Sequence, residues 1–135
     1  QGATNTFKLG LPDGSFNFGT DTFKIALYTG AASIGPDTTA YTTDGEVVAT
    51  GYTAGGNTLT ATTPTSSGTV AYVSFANTSW TSATFTTRAA LIYNSTQGNK
   101  SVAVLDFGSD KTVSGNTFTI TFPAADATNA IVRIS

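Results

Sequence analysis

The chain has 135 residues, a length that fits one domain with a core large enough to hold without staples. Charged residues make up 10% of it, against about 25% in an ordinary globular protein, and the net charge is −2. His and Cys are absent, so disulfides, thiolate chemistry, a Ser–His–Asp triad and the usual ligands of zinc, haem and iron–sulfur clusters are all excluded. Four Lys and two Arg form no basic stripe, which argues against a nucleic-acid partner. The longest apolar runs, 89–92 and 102–105, are four residues each, too short to span a bilayer, and the N-terminus has no apolar stretch of the signal-peptide kind.

Residues 1–20 carry Phe7, Phe16 and Phe18 in a Gly/Asn-rich context without a strand pattern, and read as an N-terminal arm. A single helical turn is expected over 7–11, ahead of Pro12. From residue 21 the period is two. Residues 22–28 place Phe23, Ile25 and Leu27 on one face, the mark of a half-buried strand. Residues 30–45 form a long loop of the kind that often serves function or interfaces. Further strands are expected at 46–50, 57–62, 69–75, 84–87, 88–93, 101–107, 117–122 and 130–134. In 117–122, Phe118, Ile120 and Phe122 alternate with three Thr, whose β-branching suits the solvent face of a strand. Turns are expected at Asp13-Gly14, Asp44-Gly45, Gly55-Gly56-Asn57, Gln97-Gly98-Asn99 and Ser114-Gly115-Asn116. Eight or nine short strands with such turns predict an all-β, single-domain antiparallel β-sandwich of jelly-roll or Greek-key type over residues 21–135.

Chemistry-bearing residues are few. Glu46 is the only Glu, and the seven Asp fall mostly in apparent turns, so no pair of catalytic carboxylates stands out. Asp106 and Asp110 read as a strand end and turn, without the oxygen ligands a calcium loop needs. The Gly98-Asn99-Lys100-Ser101 stretch lacks the first glycine of a phosphate loop and reads as a hairpin turn. Neither an enzyme nor a cofactor site is expected. Trp80, Tyr41, Tyr52 and Tyr93 are candidates for a sugar-stacking platform, and equally for core edges and protein interfaces. The 28 Thr and 12 Ser give a surface that loses few rotamers on burial, which suits a subunit of a larger assembly.

Three stretches carry a resemblance. Residues 21–30 read Asp-Thr-Phe-Lys-Ile-Ala-Leu-Tyr-Thr-Gly. Residues 38–56 read Thr-Thr-Ala-Tyr-Thr-Thr-Asp-Gly-Glu-Val-Val-Ala-Thr-Gly-Tyr-Thr-Ala-Gly-Gly. Residues 87–106 run through Arg-Ala-Ala-Leu-Ile-Tyr-Asn-Ser-Thr and Val-Ala-Val-Leu-Asp. Together they resemble a family of small structural proteins of tailed-bacteriophage virions. The resemblance implies a non-enzymatic virion component, made in the bacterial host cytoplasm, and within that class a decoration (cement) protein on the outer capsid. Its partners would be the major capsid protein and further copies of itself, as a dimer or trimer. A tail, adaptor or fibre component is the alternative, and a carbohydrate-binding module the reading outside the family. Contacts are expected from Phe7, Leu9, Phe16 and Phe18 of the arm and from Tyr41 of the long loop, since these apolar side chains lie outside the strand pattern.

Overall fold

The computed structural model describes residues 2–134; Gln1 and Ser135, the outer ends of the two segments anticipated from sequence, lie outside the described residues. In chain order the elements are β1 (Gly2–Ala3), α1 (Asn5–Asp13), β2 (Phe23–Tyr28), β3 (Asn57–Leu59), β4 (Thr65–Ser67), β5 (Val70–Val73), β6 (Thr78–Asn94), β7 (Lys100–Ile120) and β8 (Val132–Ile134). The protein is all-β apart from the one short helix. A five-stranded sheet runs β1-β7-β6-β2-β3 and a three-stranded sheet runs β4-β5-β8, and every strand pair in both is antiparallel.

The centre of the larger sheet is one long hairpin. The turn expected at 97–99 closes it, with Gly98 and Asn99 both in the left-handed region. Four strands anticipated separately, 84–87, 88–93, 101–107 and 117–122, the last only as far as Ile120, belong to its two arms. Bulges absorb the irregular residues between them. Thr87 pairs with Lys111 and Ala89 with Asp106, so residues 107–110 of β7 stand opposite Arg88 alone. The strand therefore continues past Asp106 and Asp110 instead of ending there; Asp106 accepts the Gly108 N–H at 2.8 Å within the bulge. Ser114-Gly115-Asn116 is likewise a bulge and not a turn, because Gly115 N–H donates to the Thr84 hydroxyl across the ladder.

Residues 46–50 form no strand. They pair with the sheets only through isolated bridges, Glu46 to Tyr28 of β2 and Thr50 to Thr84 of β6, so the segment crosses between two strands and follows neither, while Val47 packs into the main core. The expected alternation in β2 holds for Phe23, Ile25 and Leu27, which enter the main core. Its other face is buried too. Ala26 and Tyr28 join Leu91, Tyr93 and Val104 in a second cluster, covered by Ala32, Ile34 and Tyr41 of the long loop. The strand is thus buried on both sides, where a half-buried one is expected.

The first twenty residues do not form a free arm. β1 pairs with β7, and Thr4 caps α1 by accepting the Phe7 N–H at 3.2 Å, while its hydroxyl lies within 3.3 Å of the Ser101 and Val102 carbonyls. With that cap and Gly14 in the left-handed C-cap position, the helix extends from five to nine residues and runs through Pro12 in its last turn. Phe7 is 3% exposed and contacts Phe16 and Phe18 edge-on; Phe18 stacks on Phe23 at 4.6 Å. Gly10 makes this possible, because a Cβ there would lie 2.2 Å from the Phe16 ring. The arm's aromatics are core because they pack over Phe23 of the main sheet and Phe75 of the passage after β5.

Phe7→Ala is expected to cost about 3–5 kcal/mol, the usual penalty for emptying a buried aromatic site. Leu9→Ser, at a position 70% exposed, is expected to change stability by less than about 0.5 kcal/mol. Urea denaturation of the two variants checks both, and a chain lacking residues 1–19 should lose its cooperative transition altogether.

Candidate functional site

The residues anticipated as interface contacts separate. Phe7 lies inside the core, and Phe16 and Phe18 pack against it half-buried. Leu9 is freely presented on the outer side of α1, with Leu11 partly exposed two residues on. Tyr41 sits far along the chain over the second cluster, stacked on Tyr93 with ring centres 4.8 Å apart. They form no single patch.

The site the chain does assemble is built around Glu46, which composition singles out as the only Glu but whose surroundings sequence reasoning missed. Its side chain is 6% exposed. Tyr41 Oη donates to Oε1 at 2.7 Å, Tyr52 Oη donates to Oε2 at 2.5 Å, and the Gly55 N–H donates to Oε2 at 2.9 Å. No cation pairs with it among the described residues, whose one salt bridge is the exposed Arg88–Asp110 contact. Three donors substitute for the lost water, as a buried carboxylate requires. Two more phenols tie the same loop down: Tyr28 Oη donates to the Thr42 carbonyl at 2.6 Å and Tyr93 Oη to the Gly55 carbonyl at 2.7 Å. Tyr52 Oη also accepts the Leu27 N–H, linking the carboxylate to β2. Gly56 closes the loop against the sheet; its φ is +76°, and a Cβ there would overlap the Ile25 carbonyl oxygen.

Burial, with the Glu46 charge second, raises the Tyr93 phenol to about 12. Tyr28, Tyr41 and Tyr52 are pushed up as well, each first by burial; at Tyr41 and Tyr52 the hydrogen bond to Glu46 adds to it. This is a network that holds protons tightly. Its chemistry is that of a structural pin.

The tyrosines and Trp80 form no exposed sugar platform. Trp80 is 4% exposed and Tyr93 2%, and Tyr52 packs between Trp80 and Phe85. The Trp80 indole N–H is buried without a hydrogen-bond partner among the described residues. Among those residues no three acidic or metal-ligating side chains gather to hold a metal ion, and no helix is long and apolar enough to cross a membrane.

Three stretches far apart in the chain, 21–30, 38–56 and 87–106, meet at this pin. Residues 21–30 supply Tyr28, residues 38–56 supply Tyr41, Glu46, Tyr52 and Gly55, and residues 87–106 supply Tyr93. In comparisons with known proteins, no family model, curated protein or solved structure matches the chain.

Glu46→Gln keeps the shape but brings an N–H₂ against donors. It is expected to destabilise the fold by about 1–3 kcal/mol and to speed hydrogen exchange across residues 38–56 more than elsewhere. A mass-spectrometric exchange map tests this, and uniform change over the chain would count against a local pin. The phenols set an alkaline limit. Unfolded tyrosines ionise near 10 and the folded Tyr93 near 12, so above pH 10 the unfolded chain sheds protons that the folded one retains. Stability is complete below that pH and falls above it; denaturation midpoints measured on either side of pH 10 check the sign.

Proposed function

We propose that this chain is a non-enzymatic structural protein of a tailed-bacteriophage particle, and that it acts as a decoration (cement) protein on the outer capsid. The observation that supports this most is spatial. Stretches far apart in sequence, each read as resembling the same family, pack around one buried carboxylate, so the resemblance falls on residues that hold the fold together. The composition agrees with the role. A sparsely charged surface rich in Thr and Ser is buried against neighbours at small entropic cost.

The finer fold in this reading is a β-sandwich. Phe75 and Phe122, with Val132 of β8, pack into or against the same core as Phe23 and Ile25, as two layers sharing one interior would. Any Greek-key or jelly-roll connection lies in the passages between the sheets, at 60–64, 74–77 and 121–131, since β6 and β7 are direct hairpin neighbours.

The mechanism is mass action. A protein that binds only the assembled, expanded shell shifts the equilibrium toward that shell and raises its resistance to internal pressure. Its partners are the major capsid protein and other copies of itself, and it is made in the bacterial host cytoplasm before joining the virion. Of the anticipated contact set, Leu9 on the outer side of α1 stands ready for a partner, with the partly exposed Leu11 two residues on.

Quantitative mass spectrometry of purified virions tests the assignment. Decoration predicts on the order of hundreds of copies per particle, and a count of roughly three to eighteen, as ring or fibre symmetry demands, replaces it with a tail, adaptor or fibre role.

A further inference from the structure

The chain holds no Cys, Met or His, so one Trp and five Tyr are its only readily oxidised side chains. Five of those six gather at the Glu46 pin. Trp80 packs on Tyr52 with ring centres 6.2 Å apart and planes inclined by 29°, Tyr41 stacks on Tyr93, and Tyr28 hydrogen-bonds the same loop. Only Tyr72 belongs to the other sheet, on β5.

Trp80 and Tyr52 differ in where a proton can go. Trp80 is 4% exposed, and its indole N–H meets no acceptor of the protein among the described residues. An indole that has lost an electron is the stronger oxidant while it keeps its proton, and nothing at Trp80 draws that proton away. Tyr52 is placed the opposite way. A phenol gives up an electron easily only if its proton leaves at the same time, because the phenol radical cation is a very strong acid. Tyr52 Oη donates to Glu46 Oε2 at 2.5 Å, and no cation competes for that carboxylate among the described residues. The Leu27 N–H holds the same phenol oxygen at 3.0 Å. The proton acceptor is therefore in hydrogen-bond contact before any electron moves, and no side chain has to rearrange.

We propose that the Trp80–Tyr52–Glu46 row is a radical sink, which passes an oxidising hole from Trp80 to Tyr52 and the phenol proton to Glu46. The first oxidation comes from outside the protein, by ionising light that ejects an indole electron into water or by a small one-electron-oxidising radical. One electron then moves from the Tyr52 ring to Trp80, and the Tyr52 Oη proton moves to Glu46 Oε2. The products are a neutral indole, a neutral tyrosyl radical and a neutral carboxyl group. Tyr52 is half-buried, so a soluble one-electron donor such as ascorbate reduces it, and the proton returns from Glu46 to the phenol. The cycle spares the indole ring irreversible oxidation. It rests on the Glu46 network and does not depend on the capsid assignment.

Flash photolysis of the intact chain tests this. Excitation at the red edge of indole absorption selects Trp80, and a pentaamminecobalt(III) salt captures the ejected electron. The wild type should show an indole radical cation that is replaced by a tyrosyl radical at a rate independent of protein concentration. The replacement should slow in heavy water, since a proton moves with the electron. Tyr52→Phe and Glu46→Gln should each slow it by more than about tenfold, the rate equivalent of losing one hydrogen bond from the barrier. Tyr72→Phe should leave it unchanged. Near-ultraviolet circular dichroism shows whether each variant keeps its packing. If Tyr52→Phe or Glu46→Gln does not, the wild-type rate, its isotope effect and the electron paramagnetic resonance of the final radical decide alone. A wild type whose indole radical never yields a tyrosyl radical overturns the proposal. So does a yield that depends on collisions between molecules, a folded Tyr52→Phe that converts as fast as the wild type, or a rate indifferent to heavy water.

Discussion

A carboxylate withdrawn from water has to be given donors, and at Glu46 there is no cation to help. The requirement reaches across the chain because the donors come from residues 41, 52 and 55, and two of the phenols around them are rooted in β2 and β6. Satisfying one side chain fixes a loop of nearly twenty residues over the face of the main sheet. That cover is what allows β2 to carry apolar residues on both faces, and it places Gly56 hard against the Ile25 carbonyl. The anchor is polar and the cluster beneath it small, so the loop's order depends on hydrogen bonds more than on buried area.

The fold was legible in the sequence where a local signal had no competitor. Phe23, Ile25 and Leu27 share a face as the alternation implies, and Gly98 and Asn99 turn the chain as their preference for positive φ implies. It was misread where the same local signal serves two structures. A Gly-Asn pair inside a ladder is a bulge when the partner strand supplies an acceptor, as Thr84 does for Gly115. Residues 46–50 look like a strand, yet they bridge β2 at Glu46 and β6 at Thr50 and so run along no single strand edge. Strand lengths were missed for this reason: the breaks that local residues suggest are absorbed by the long-range pairing of β6 with β7.

The candidate site was less legible still. Apolar residues outside a strand pattern signal either an interface or a lid on the core, and the sequence does not separate the two. Phe7, Phe16 and Phe18 proved to cover Phe23 and Phe75, and Leu9 alone of the arm's contact set turned fully outward. The available hint for Glu46 was its isolation in a chain with tyrosines on both sides of it at 41 and 52. Seeing that hint as a buried network requires knowing that Tyr28 and Tyr93 approach from other strands, which only the tertiary fold supplies.

The bulge at 107–110 carries one more implication. Four residues of β7 are spent opposite one of β6, and Gly108, at φ +78°, has nothing within 4 Å of where a Cβ would be. The ladder resumes on either side, at Asp106 and at Lys111, and from β6 only the exposed Arg88 side chain reaches the residues between, at Gly108 and Asp110. Such a place accepts added length at little cost, because closing a longer loop between anchored ends adds only about 0.6 kcal/mol per doubling. A foreign peptide spliced after Gly108 would leave the pairing on both sides intact. In any assembly that brings many copies of the chain together, the bulge would become a display port, repeated at every copy.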